Sequence, residues 1–231
     1  MPDEELERLK ERRWREVAAV EEAFVRGDLD EDGWHEAMKD LIVPAYLAGD
    51  NPRAQSGYSG DAKRWEGARR LLLDAVEGDC SFLDVGCANG HLMECLAEWA
   101  AADEVRLEPW GLEISPELAA LARERLPRWS DRIFVGNALE WVGPQRFDVV
   151  RTSVDYVPAA RRRQLLTHLL EHVVAPGGRL VVGVFSEETE RRALEEEVAA
   201  MGYASAGRTE RSHPDTHRLV RRAFWIDRRP A

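Results

Sequence analysis

Asp84 ends the apolar run Phe82-Leu83 and is followed by Val85, Gly86, Cys87, Ala88, Asn89 and Gly90. Small residues after a strand let a ligand approach the backbone, and the next helix presents free N–H groups there. The carboxylate changes what such a turn can hold. It repels a phosphate and favours a cation. Glu113, in WGLEIS, ends a second apolar run, and a carboxylate at that place can accept hydrogen bonds from both vicinal hydroxyls of a ribose. Gly136-Asn137-Ala138-Leu139 follows a third run; its side-chain amide and backbone N–H can read an adenine edge. After a fourth run come Thr152, Ser153, Asp155 and Tyr156. Asp155 and Tyr156 are the candidates for taking a proton from a substrate, against plainer roles as a backbone cap and a pocket wall.

These residues need a scaffold that brings strand ends together. The apolar runs predict strands at 81–85, 109–114, 132–135, 147–152 and 179–185, with helices near 62–77, 90–102, 116–126 and 159–174 between them. Near-continuous apolar strands such as RLVVGVF belong to a sheet covered on both faces. The alternation predicts an α/β, doubly wound sheet. A helix at 187–201 precedes strands at 203–208 and 219–227 joined only by a loop, so the sheet of seven strands is mostly parallel with an antiparallel last strand. Leu6, Leu9, Val17, Val20 and Phe24 mark one amphipathic helix, and Trp34, Met38, Leu41, Ile42 and Tyr46 a second, in which Pro44 can introduce a kink. The turn formers of GDNPRAQSGYSG divide an N-terminal helical cap, residues 1–50, from the main domain, residues 51–231. The cap and the loop with Gln55, Ser56, Tyr58 and Trp65 are expected to cover the crevice.

Composition narrows the partners. A formal charge of −11 over 231 residues repels nucleic acid unless a local basic patch offsets it, so no nucleic acid and a small-molecule substrate are expected. No apolar run approaches the ~20 residues of a membrane span, and the start MPDEELERLKERR is charged; no membrane association and a cytoplasmic location are expected. Cys80, Cys87 and Cys95 form no C-x-x-C pair. DLDEDG at 28–33 opens like a calcium loop, but position twelve is Lys39 where the ion needs a Glu. HLLEH at 168–172 matches a zinc-protease spacing without its context; no metal is expected. Arg161, Arg162 and Arg163 oppose the dipole of the helix they open, which calls for compensating acids.

Taken in order, the four strand-end segments resemble the class I S-adenosylmethionine-dependent methyltransferases, from about residue 60 to the C-terminus. The resemblance implies a Rossmann-like fold and S-adenosyl-L-methionine as cofactor. It implies cofactor contacts from Asp84, Gly86, Cys87, Ala88 and Gly90 in FLDVGCANG, from Glu113 and Ile114, from Asn137, Ala138 and Leu139, and from Thr152. A cofactor with an ammonium and a sulfonium, and no phosphate, explains the acid at position 84. Two residues depart from the family pattern. Ala88 replaces the middle glycine, and Asn137 replaces an acid while keeping an oxygen acceptor. Tyr58, Trp65, Asp155 and Tyr156 are the expected substrate contacts. SVDY lacks the [DNS]-P-P-[FY] of the relatives that methylate amide or base nitrogens, which leaves methyl transfer to an O or N acceptor on a small molecule. Two alternatives use the same segments: an NAD(P)-dependent oxidoreductase, disfavoured by Asp84 and the missing G-x-G-x-x-G, and a non-catalytic methyltransferase-like binding protein. The apolar stripe of residues 4–26 fits a homodimer as well as a cap.

Overall fold

The structure, a computed structural model, describes residues 3–188, 192–212 and 219–230. Helices α1 (Asp3–Arg26) and α2 (Glu31–Leu47) precede the main domain. Asp30 caps α2 by accepting the Gly33 N–H at 2.8 Å, which is the use DLDEDG finds here. α2 continues past Pro44 to Leu47. Then come α3 (Ala62–Arg69), β1 (Cys80–Val85), α4 (His91–Ala102), β2 (Leu107–Glu113), α5 (Pro116–Arg125), β3 (Ile133–Val135) and β4 (Phe147–Thr152). The rest is α6 (Arg162–His168), β5 (Val174–Glu188), α7 (Ala193–Ala200), β6 (Gly207–Ser212) and β7 (Leu219–Asp227).

The seven strands form one sheet in the order β3-β2-β1-β4-β5-β7-β6. β1 to β5 pair in parallel, while β7 runs antiparallel to both β5 and β6. The central strands are buried on both faces, and the alternation of side chains divides the core in two. Leu83, Val150, Leu180 and Val182 pack with Leu165, Leu166 and Leu169 of the α6 crossover. Phe82, Val149 and Val181 face the other way, toward Trp65, Leu72 and Leu96.

Several boundaries differ from expectation. β6 lies at Gly207–Ser212, not 203–208, because RTERS is an edge strand whose side chains are mostly exposed and carries no apolar alternation. The crossover expected as one helix over 159–174 is a 3-10 turn, α6 and a π turn over Leu169–Val173. The helix expected from 187 begins at Ala193, since β5 runs on to Glu188. His213 and His217 lie outside the described residues. Among the described residues no helix is long and apolar enough to cross a membrane.

Candidate active site

Strand order reverses direction at the β1/β4 boundary, which is where an open α/β sheet leaves a crevice beyond its carboxyl ends. Register places Asp84 of β1 between Gly111 of β2 and Arg151 of β4. Both charges are buried, Asp84 at 1% and Arg151 at 3% exposure. Arg151 Nη1 donates to Asp84 Oδ1 at 3.0 Å and to the Tyr156 hydroxyl at 2.9 Å. Burial pushes the Asp84 carboxyl up to about 6, against the pull of Arg151. Its second oxygen, Oδ2, is buried and meets no hydrogen-bond partner among the described residues.

Glu113 sits at the tip of β2. Its carboxylate accepts the Ala88 N–H at 2.8 Å and the Ser115 N–H at 2.9 Å. Burial raises its pKa, and those N–H groups resist the rise. Two accepted bonds leave further lone pairs on the carboxylate.

Asp84, Gly86, Cys87, Ala88, Glu113, Ile114, Asn137 and Ala138 line one cavity of about 310 Å³. Trp65, Asp155 and Tyr156 line it too. Four expected contacts do not. Gly90, at φ +75°, starts α4 where a side chain would strike Leu126 of the α5 turn, so helix packing requires this glycine. Leu139 is buried in the core, and its N–H is taken by the Asn137 side chain. Thr152 is fully buried, its hydroxyl turned to the Ser153 carbonyl. Tyr58 packs edge-on against Trp65 at 5.2 Å, behind the wall. Gly86, at φ +73°, also lies under the Tyr156 ring, so its missing side chain admits that ring.

The two candidate bases are engaged elsewhere. The Asp155 side chain is 74% exposed and accepts from Arg162 at 2.8 Å. Burial raises the Tyr156 phenol although Arg151 pulls the other way, so it is a protonated clamp on Arg151 at neutral pH. The arginine run also finds its acids: Arg161 pairs with Glu31 of α2 at 2.9 Å, and Arg162 with Glu197 of α7. His168 Nε2 pairs with the Trp141 carbonyl, and no group of metal-ligating side chains occurs among the described residues.

α2 closes the cavity, contributing Trp34, His35, Met38, Lys39, Ile42 and Tyr46. It is fastened through Glu21 of α1, which accepts the Trp34 indole N–H at 3.2 Å and the Ala159 N–H at 3.0 Å. Burial drives the Tyr46 phenol up to about 12. Arg69 is also buried in the wall, under Tyr58 and Trp65, and burial beside Arg151 lowers it to about 9. Sequence reading missed His35, Arg69 and Arg151. A signal existed for two of them: Arg151 follows the apolar pair Val149-Val150 in a segment expected as a strand, and a charge buried there must be paired, while His35 precedes Met38 and Ile42 by three and seven residues and so shares their stripe.

The wall fits an adenosyl amino acid. The orphaned oxygen of Asp84 is a buried acceptor awaiting a cation, the spare acceptors of Glu113 suit a diol, and the Asn137–Ala138 segment lies beyond them on the same cavity.

Residues 82–178 match the family of methyltransferase domains. No curated protein matches the chain. Among solved structures, the Burkholderia thailandensis 1,6-didemethyltoxoflavin N1-methyltransferase, solved with 1,6-didemethyltoxoflavin and S-adenosylhomocysteine, is similar over 87% of this chain and 91% of its own, at 15% identity and a TM-score of 0.62. The N-methyltransferase NodS of Bradyrhizobium japonicum WM9 is similar over 78% and 98%, at 20% identity and a TM-score of 0.51. The [4+2]-cyclase SpnF is similar over 84% and 94%, at 15% identity and a TM-score of 0.56. At such identities the likeness is one of fold, and the cyclase shows that the fold alone does not fix the chemistry. The family match and the strand order agree: residues 82–178 are similar to methyltransferase domains, and they lie on a seven-stranded sheet with the order β3-β2-β1-β4-β5-β7-β6.

Proposed function

We propose that this protein transfers a methyl group from S-adenosyl-L-methionine to an oxygen or nitrogen of a small molecule. One observation carries the reading: two buried carboxylates at neighbouring strand tips, one with an unpartnered oxygen, open onto a single cavity. Asp84 would hold the ammonium, Glu113 the ribose and Asn137–Ala138 the adenine edge. Bound there, the cofactor supplies an electrophilic methyl carbon. The chain's part is to align an acceptor with it and keep water out, and alignment alone can supply much of the acceleration.

A small acceptor is supported by the roof. α2 lays the apolar side chains Trp34, Met38 and Ile42 along the crevice, and a cavity of about 310 Å³ suits a small acceptor beside the cofactor. The charge of −11 argues the same way. A cytoplasmic location belongs to the same proposal, supported by three free cysteines, as a reducing compartment keeps them. Calorimetric titration with S-adenosylhomocysteine tests the reading, with binding in the micromolar range expected. No heat at millimolar ligand would refute it.

A further inference from the structure

We propose that His35 of the roof helix takes the proton of the methyl acceptor, so that α2 supplies the catalytic base and the acceptor's binding face together. This rests on the methyl-transfer reading above. The ring lines the cavity and is 6% exposed. Its Nε2 is buried and meets no hydrogen-bond partner among the described residues. Leaving such an atom unpaired is unfavourable, and a substrate O–H or N–H would relieve it. The ring stands edge-on to Trp34 at 5.1 Å, and Glu21 fixes that indole. The imidazole is therefore oriented by Trp34, which Glu21 in turn holds in place.

The other proton acceptors on the wall are committed. Asp84 and Glu113 serve the cofactor. Tyr46 and Tyr156 are protonated phenols at neutral pH, both pushed up by burial. Asp155 is held by Arg162 at the surface, and Lys39 is paired with Glu36 at 2.6 Å. His35 remains. Burial lowers its pKa against the acids Glu31, Asp32 and Glu36 of its own helix, with Lys39 assisting, so it is a neutral imidazole at pH 7. Its neighbours Trp34, Met38 and Ile42 make the acceptor face flat and apolar, which suits an aromatic or otherwise unsaturated ring bearing a hydroxyl or amine.

In the step, a lone pair of the acceptor oxygen or nitrogen forms a bond to the methyl carbon. The methyl–sulfur bond breaks with both electrons staying on sulfur, and the sulfonium becomes a thioether. The acceptor's proton passes to Nε2, so the positive charge leaves sulfur and ends on an imidazolium.

The test uses His35→Ala and His35→Gln with labelled S-adenosylmethionine and the small-molecule fraction of the source cells, alongside calorimetry with S-adenosylhomocysteine. Both variants should bind S-adenosylhomocysteine within about threefold of the unaltered protein, while the maximal rate of label transfer falls about 100-fold or more. Added imidazoles should restore His35→Ala, the more basic ones more strongly. Transfer by His35→Ala within threefold of the unaltered protein overturns the proposal and leaves the functional reading intact. A loss of transfer that no imidazole restores, or one accompanied by lost S-adenosylhomocysteine binding, also overturns it. Failure of the unaltered protein itself to bind S-adenosylhomocysteine would overturn both.

Discussion

Asp84 is under two opposed demands. In the role proposed for it, it must carry charge to hold a cation, yet burial makes that charge costly, and Arg151 offsets the cost only in part. The folded carboxyl sits at about 6 against an ordinary value of 3.8, so the folded chain holds this proton more tightly than the unfolded one. Its contribution to stability is therefore complete below about 3.8 and is lost as pH rises through about 6. For the ligand the sign is reversed, because an ammonium needs the carboxylate. Affinity for S-adenosylhomocysteine should weaken as pH falls from 7 to 5, by up to about tenfold per unit once Asp84 protonates. Asp84→Asn should flatten that profile, leaving the shallower slope that Glu113 contributes in the same direction. Calorimetry across this range measures both; an unchanged Kd would remove Asp84 from the ligand. Gly86 makes a second test. An added Cβ would stand 2.6 Å from the Tyr156 ring on a backbone at φ +73°. Gly86→Ala should cost about 1–3 kcal/mol in denaturant unfolding, and pairing it with Tyr156→Ala should give less than the sum of the two losses.

At the scale of elements, the roof decides whether the site exists. Two contacts fasten it. Glu21→Ala strips acceptors from the Trp34 indole, which is 4% exposed, and from the Ala159 N–H, so about 1–3 kcal/mol should be lost. Amide exchange in α2 should accelerate correspondingly. Arg161→Ala breaks the half-exposed pair with Glu31 and an exposed hydrogen bond to Gln164; its cost should stay below about 1 kcal/mol. Equal exchange rates in both variants would mean that Glu21 is not the fastening. The helices themselves were legible, since periodic apolar residues marked α1, α2, α4 and α5. Their docking was not, because Glu21 and Ala159 are 138 residues apart and nothing local in either segment selects the other. β6 was expected too early in the chain, at 203–208, for a different reason: an exposed edge strand is held by backbone pairing with β7, which leaves no pattern in its side chains.

For the molecule as a whole, the continuous apolar runs that betray strands buried on both faces were enough to read the sheet, and the acids at their tips were enough to read the crevice. The cavity's third wall was not readable, since it forms only when a cap outside the alternating pattern folds over the strand ends. That closure has a measurable consequence. A ligand held between the sheet and α2 binds the folded chain and not the unfolded one, so it stabilises by mass action: about 2.7 kcal/mol at a concentration 100 times its Kd. In a chain of this size each kcal/mol moves the melting temperature by about 2–4 °C. S-adenosylhomocysteine at that excess should therefore raise Tm by about 5–10 °C. NAD should not, because its pyrophosphate would have to lie against Asp84, whose charge would oppose it. Differential scanning fluorimetry with both ligands decides between them: protection by NAD alone would assign this crevice to a dinucleotide, and the pairing of Arg151 with Asp84 would then be the device that neutralises an acid standing in a phosphate's way.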